Sequence, residues 1–358
     1  MDRRRKLISV IIPVFGVRQY LADCLDSVLG PPGSEAAGPV TEVIAVDDAS
    51  PDGSGDLLDD RAKHDARLTV VHLNRTLGPG NARNVGLARA TGGYVWFVDG
   101  DDMVAAGAAD AIAARIAEFG PDVLLVDYLN LLPDGTAAPS GGTGLLGSAP
   151  AGQFRLAAAP QVIDLTMTAW SKLFRREFLT GLGEPFRGGI HEDIPVSCAA
   201  LLNGQLSALD SPCYLYRRSR RGSFMATTST DHAAVFRSYE DVFCMLHKLV
   251  AAADPVATPA VRTAVFERAI SHYSAVLATT GAGIGRFGRP GLVPRGERRR
   301  FFEHMHADFV RYAPAGYRPP SGARGVKFRL IKRRRYLAYE LLEPLNRLRI
   351  AVSASRRS

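Results

Sequence analysis

Four polar clusters in this chain have residue types and spacings that could do chemistry. Asp99-Gly100-Asp101-Asp102 follows directly on the apolar run Tyr94-Val95-Trp96-Phe97-Val98. Three carboxylates so close together repel one another, and a hard divalent cation, Mg2+ or Mn2+, would hold them through one or two of their number plus the oxygens of a diphosphate. A solvated Asp-Gly turn is the other reading. Asp47 and Asp48 close a second apolar run, Val43-Ile44-Ala45-Val46, where carboxylates can accept hydrogen bonds from a base edge or from ribose hydroxyls; the same pair followed by Ser50, Asp52 and Gly53 also reads as a turn and helix cap. Between them, Asn74-Arg75-Thr76-Leu77-Gly78-Pro79-Gly80-Asn81-Ala82-Arg83-Asn84 is a glycine-containing loop that opens a helix, with Arg75 and Arg83 able to meet phosphate. Lastly, Glu192 and Asp193 in His191-Glu192-Asp193 could include a general base that takes a proton from an attacking hydroxyl, or could be acidic residues favouring a helix N-terminus.

Several common chemistries are missing. No G-x-x-x-x-G-K-[ST] loop and no G-x-G-x-x-G after the first strand is present, which disfavours kinase and dinucleotide readings. The single His191 cannot make an H-E-x-x-H zinc site, and there is no Gly-x-Ser-x-Gly elbow.

The elements that must position these clusters follow from hydrophobic period. Ile8 to Ile12 reads as a buried strand ending at Pro13, and Tyr20, Leu21, Cys24, Leu25, Val28 and Leu29 recur at helical spacing. Further strands are predicted at Val43–Val46, Leu68–Leu73 and Tyr94–Val98, with helices from near Gly55 and from Asn81 to Ala90. This alternation predicts an α/β domain with a largely parallel sheet, whose polar clusters sit at the C-terminal strand ends where ligands bind. Residues 134–152, rich in Gly, Ala, Pro and Ser, read as a surface loop. An apolar segment of mixed character runs from about 162 to 216. Beyond it, helices are predicted near 232–253, 261–279, 297–311 and 324–349, with a domain boundary near 225: a catalytic domain over 1–225 and a helical, basic region over 226–358.

With 358 residues, 46% hydrophobic and 22% charged, the chain is long enough for a full core and is neither disordered nor a disulfide miniprotein. No apolar run is long enough to span a membrane, and the basic start leads into too short a run for a signal peptide. Cys24, Cys198, Cys213 and Cys244 form no C-x-x-C pair and read as reduced core residues of a cytoplasmic protein. The net charge of +8 is unevenly placed: residues 286–358 carry 19 Lys and Arg against 5 Asp and Glu, which leaves the remainder mildly acidic.

The order of the motifs adds what no single one supplies. A strand ending in Pro13, then Val-Asp47-Asp48-Ala-Ser, Ala82-Arg83-Asn84-x-Gly86-Leu, Gly93-Tyr-x-x-Phe-x-Asp99-x-Asp101-Asp102, Trp170-Ser-Lys-Leu-Phe and Glu192-Asp193 closely resembles the family 2 glycosyltransferases over residues 7–225. The resemblance implies a GT-A fold, a Rossmann-like mixed sheet here followed by a C-terminal helical extension. It implies that Asp48 contacts the nucleotide base, with Pro13 and Val14 lining the same pocket. Asp99 would meet the ribose side, Asp101 the metal on the donor diphosphate, with Asp99 sharing in the metal site, and Arg83 the nucleotide. Asp193 would be the catalytic base, positioned by Glu192.

The implied reaction is metal-dependent, inverting transfer of a sugar from a nucleotide-diphosphate donor, a UDP-sugar for preference, to a glycan or lipid-linked acceptor of the cell envelope. The Q-x-x-R-W motif of processive synthases is missing, since neither Trp96 nor Trp170 follows Arg. A nucleotidyltransferase and a non-catalytic scaffold are the rival readings. The segment from Val326 to Leu345 can be drawn as one amphipathic helix with a basic face, suited either to packing on the catalytic domain or to the anionic inner face of the plasma membrane. The Tyr214–Ser223 cluster is either a flap over the diphosphate or a solvated basic loop. A nucleic-acid partner is not expected, because no aromatic-interleaved groove accompanies the charge.

Overall fold

The computed structural model describes residues 8–32, 38–140, 144–165, 167–183, 185–217, 231–278, 293–294 and 296–342. The predicted strands and helices of the first hundred residues are present: β1 (Ile8–Val14), α1 (Arg18–Leu29), β2 (Val40–Asp47), α2 (Ser54–Ala62), β3 (Leu68–His72), α3 (Pro79–Leu87) and β4 (Tyr94–Phe97). They are followed by β5 (Met103–Val104), α4 (Ala108–Phe119), β6 (Val123–Leu131), β7 (Ala137–Pro139), three short 3-10 turns, β8 (Lys172–Arg175), α5 (Arg176–Gly181), α6 (Ile194–Asn203) and β9 (Leu206–Arg217). The strands form one sheet in the order β3-β2-β1-β4-β8-β6-β9-β5, with β7 paired to β6.

The sheet is mixed. β1 is parallel to β2 and β4, and β2 to β3, whereas β8 runs antiparallel between β4 and β6. β7 falls inside the segment that reads as a loop: its sequence has no apolar alternation, and pairing of Leu129 to Leu131 with Pro139 to Ala137 makes it a strand.

Both faces of the parallel part are covered, so its strands are nearly continuous in apolar residues. Side chains alternate between two cores. Ile8, Val10, Ile12, Tyr94, Trp96 and Val98 face α1 and α4, while Ile11, Ile44, Val46, Val95 and Phe97 face the other way. The second face is also where the C-terminal helices lie: α7 (Ala234–Ala251), α8 (Pro259–Ala278), α9 (Arg298–Tyr312) and α10 (Gly322–Lys332). Val235, Phe236, Phe266, Phe309, Phe328 and Ile331 belong to the same hydrophobic cluster as Ile11 and Phe97. These helices therefore share a core with the sheet instead of closing their own. The boundary expected near residue 225 lies outside the described residues.

The single helix expected over 324–349 is divided. α10 ends at Lys332, the chain turns through Arg334 at φ +55°, and residues 336–342 begin a new helical stretch. Three of the cysteines are buried and unpaired as expected, but Cys244 is exposed on α7.

Phe328 is fully buried and its ring meets Phe309 edge-on at 6.2 Å. Phe328→Ala is expected to destabilise the protein by about 3–5 kcal/mol in chemical denaturation, with the sheet and the C-terminal helices unfolding in one transition because their core is common. Two separate transitions would mean the helices fold independently.

Candidate active site

The site is built at the C-terminal ends of β1, β2 and β4, and its centre is Arg83. This residue lies on α3, is only 4% exposed, and donates from Nη2 to Asp99 at 2.8 Å and from Nη1 to Glu192 at 2.5 Å. Its guanidinium also stands over the Phe186 ring at 5.7 Å. A buried cation flanked by two carboxylates keeps its proton more tightly than in water, and the Arg83 pKa is accordingly raised by Asp99, Glu192 and Asp193 against the cost of burial. The expectation that Arg83 meets the nucleotide takes a different form here: its fork joins two acidic centres that lie far apart in sequence.

Helix α3 holds the Glu192 loop in other ways as well. Asn84 donates to the Phe186 carbonyl at 2.7 Å and accepts from the Phe186 amide at 3.0 Å. Gly80 is required by close approach, since a Cβ there would stand 1.9 Å from the Arg187 carbonyl oxygen. From the opposite side, α7 contributes Ser238, which donates to the His191 carbonyl at 3.0 Å, and Asp241, which pairs with Arg187 at 2.6 Å. Between these supports His191 is held at φ +61°, with its ring edge-on to His272. Burial, with His232 nearby, pushes the His191 pKa down to about 4, so its ring is neutral near pH 7.

Asp193 immediately precedes α6 and accepts from the Ala169 amide at 3.2 Å. It keeps part of its surface open but is surrounded by protein and stands beside other acids. Desolvation first, then the Glu192 charge, pushes its pKa up to about 7, against the lowering pull of Arg83 and Lys172. A carboxylate with that affinity can accept a proton near neutral pH. Lys172 is buried on β8 and donates to the Thr168 carbonyl at 2.8 Å and to Ser171 Oγ at 3.0 Å. It thereby ties down the turn that presents Ala169 to Asp193. Burial pushes the Lys172 ammonium down to about 8.

The Asp99–Asp102 segment is shaped by Gly100, whose missing side chain lets the backbone pack on β1: a Cβ would stand 3.2 Å from Val17 and 3.3 Å from the Pro13 carbonyl. Asp102 is buried, accepts from Tyr214 Oη at 2.8 Å and from the Arg217 amide at 2.7 Å, and has its pKa raised by burial and by Asp101 and Asp99. The same Tyr214 hydroxyl accepts the Asp99 amide at 3.0 Å, and Arg217 Nε donates to the Asp101 carbonyl at 2.9 Å. Tyr214 is stacked on Trp170 at 4.5 Å, and Trp170 on Tyr216 at 5.5 Å. Of the Tyr214–Ser223 cluster, the residues after Arg217 lie outside the described residues.

At the end of β2, Asp48 accepts from the Leu77 amide at 2.7 Å and from the Gly78 amide at 2.8 Å, so it anchors the loop that leads into α3. Burial raises its pKa, and those two amides oppose the rise. Pro13 is half-buried at the strand end beside it. Val14 is the last residue of β1. Its side chain is fully buried in the core on the α1 face, as the alternation along β1 requires, and only its carbonyl reaches Asp48, accepting the amide at 2.8 Å. Asp47 realises the turn reading: it accepts from the Ser50 amide at 3.0 Å and pairs with His72 at 3.1 Å, facing a separate cleft of about 510 Å³.

Among the described residues no group of three or more His, Cys, Asp or Glu is arranged to hold a metal ion unaided. Asp99 and Asp101 are nevertheless hard oxygen donors at one strand end, and Mg2+ or Mn2+ held by one or two carboxylates completes its shell with phosphate oxygens. The donor set fits such an ion when a diphosphate is present.

The contacts that Lys172, Tyr214, Asn84 and Arg217 make at the site are not visible in local pattern. Lys172 carries the clearest signal, a lone cation within the apolar run Trp170-Ser-Lys-Leu-Phe.

Comparison with known proteins agrees with this architecture. Residues 9–179 match the family described as Glycosyl transferase family 2. The chain is 29% identical to an uncharacterized glycosyltransferase, EpsJ of Bacillus subtilis, over 60% of its own length and 61% of that protein. It is 32% identical to glycosyltransferase GlyG of Streptococcus pneumoniae over 35% of its own length and 40% of that protein, so it spans less than two thirds of these curated relatives. It is 28% identical over 61% of its length to Staphylococcus aureus TarS, named a poly(ribitol-phosphate) β-N-acetylglucosaminyltransferase, covering 37% of that protein. The crystal structure of TarS residues 1–349 with UDP-GlcNAc superposes with a TM-score of 0.68 over 96% of this chain and 92% of that one, at 21% identity. Residues 9–179 are thus similar to glycosyl transferase family 2, and the body of the chain has the GT-A fold.

Proposed function

We propose that the protein transfers a sugar from a nucleotide-diphosphate sugar to an acceptor hydroxyl, with inversion at the anomeric carbon. The observation that carries this reading is the placement of Asp193, with a pKa near 7, beside an Arg83 bridge that brings Glu192 to Asp99. The acceptor oxygen forms the new bond to the anomeric carbon as the bond from that carbon to the diphosphate oxygen breaks. The acceptor proton passes to the Asp193 carboxylate, and the nucleoside diphosphate departs. Asp48 and the loop it anchors frame the base end of the donor site. Asp101 and Asp99 would hold Mg2+ or Mn2+, which when bound offsets negative charge on the diphosphate.

A UDP-sugar is the donor we favour, in keeping with the UDP-GlcNAc in the TarS structure, and a cell-envelope glycan or lipid-linked acceptor is in keeping with the polymer in the TarS name. Four cysteines without a disulfide suit a reducing, cytoplasmic compartment. Among the described residues no helix is long and apolar enough to cross a membrane.

Binding is tested by thermal shift with UDP-GlcNAc in the presence and absence of Mn2+. Stabilisation that needs the metal is expected, and Asp101→Ala should reduce it; a panel of UDP-, GDP-, dTDP- and CDP-sugars that all leave the melting temperature unmoved would overturn the reading. For the chemical step, Asp193→Asn should lower UDP release by roughly 10²–10⁴-fold while the donor KM holds, as loss of a general base does.

The pH dependence has a definite sign. Asp193 works ionised, so the rate should rise with pH through an acid limb near 7. The Lys172 charge favours the carboxylate, and Lys172→Met should therefore move that limb to higher pH. A limb that stays in place would show that the lysine does not tune the base.

A further inference from the structure

The chain after α10 forms a corner with an unusual surface. The apolar face expected of a long amphipathic helix is not available to solvent: Phe328 and Ile331 are buried in the common core. After the turn at Arg334, residues 336–342 lie against α9. Tyr336 and Tyr339 meet Phe302 at ring distances of 5.4 and 5.3 Å, and Arg298 donates to both oxygens of Glu340, at 3.0 and 2.7 Å. These contacts determine the rotation of the stretch. Leu337 and Leu341, one helical turn apart, consequently face outward and are 75% and 61% exposed.

The surroundings of the two leucines are cationic. Residues 322–342 contain seven Lys and Arg and one acid, Glu340, which Arg298 already pairs. Arg324 pairs with Asp164 and Glu267, and Arg334 with Glu303, whereas Lys332, Arg333 and Arg335 are exposed at the turn itself.

We propose that this corner, Leu337 and Leu341 with Lys332, Arg333 and Arg335, docks on an anionic lipid bilayer. Two leucines projecting side by side match a fluid interface that closes around them, and flexible cations beside them match mobile anionic headgroups. The inference does not depend on the sugar-transfer reading, because it rests on different residues and is tested without substrate.

The experiment is co-flotation of the full chain with vesicles of phosphatidylcholine alone or mixed with phosphatidylglycerol. Partition should favour the anionic vesicles by at least ~10-fold, the scale given by about 1 kcal/mol per basic residue, and should weaken with salt. Leu337→Glu with Leu341→Glu should reduce binding by at least ~10-fold, since buried methylenes contribute much of such affinity. Arg333→Glu with Arg335→Glu should remove the preference for anionic lipid. The altered side chains are exposed, and an unchanged melting temperature in each variant establishes that the fold is intact. Absence of wild-type binding to anionic vesicles, or equal binding by the leucine variant, would overturn the proposal. So would self-association that the leucine changes abolish in a protein that ignores vesicles.

Discussion

The site depends on the burial of Arg83. A guanidinium taken out of water must be compensated, and here the compensation comes from Asp99 at the end of β4 and Glu192 before α6. Leaving one member of such a buried set unpaired costs on the order of 3–5 kcal/mol, which is a large share of a protein's net stability. That penalty ties the end of β4 to the loop before α6. Gly80 and Asn84 extend the same contact along α3, so one short helix holds both acidic segments.

The C-terminal helices complete this arrangement. Because α7 to α10 share the core of one sheet face, α7 can reach the 187–191 loop with Ser238 and Asp241. The left-handed backbone at His191 is held by neighbours on several elements, as strained positions near active sites must be. Asp193 follows that bend by two residues, and burial first, then the Glu192 charge, sets its high proton affinity. Helices that look like an appendage in the chain thus help hold the loop that leads to Asp193.

A second line of support runs through aromatic rings. Tyr214 touches Asp102 and the Asp99 amide with its hydroxyl and stacks on Trp170 with its ring, and the turn that carries Trp170 presents the Ala169 amide to Asp193. Trp96 closes the circuit by donating from Nε1 to the Trp170 carbonyl at 2.9 Å. The acidic cluster and Asp193 are therefore joined on the β8–β9 side as well as through Arg83.

Local pattern alone was enough to place β1 to β4, the glycine loop and the acidic strand end, because hydrophobic period and turn chemistry are short-range properties of the chain. Motif order also carried the resemblance to family 2 glycosyltransferases, and with it Asp48, Asp99, Asp101 and Asp193 as the carboxylates to watch. It could not reveal that Arg83 faces carboxylates, that Val14 turns into the core, that Pro139 sits in a strand, or that the basic tail is divided so that Phe328 is core and Leu337 is surface. Each of these is decided by partners far away in sequence: Glu192 stands 109 residues from Arg83 and Tyr214 stands 112 from Asp102. Residue types determined which groups could do chemistry, while burial against distant neighbours decided their charge, their orientation and their proton affinity, since desolvation and Coulomb energy exist only once the fold has brought those groups together.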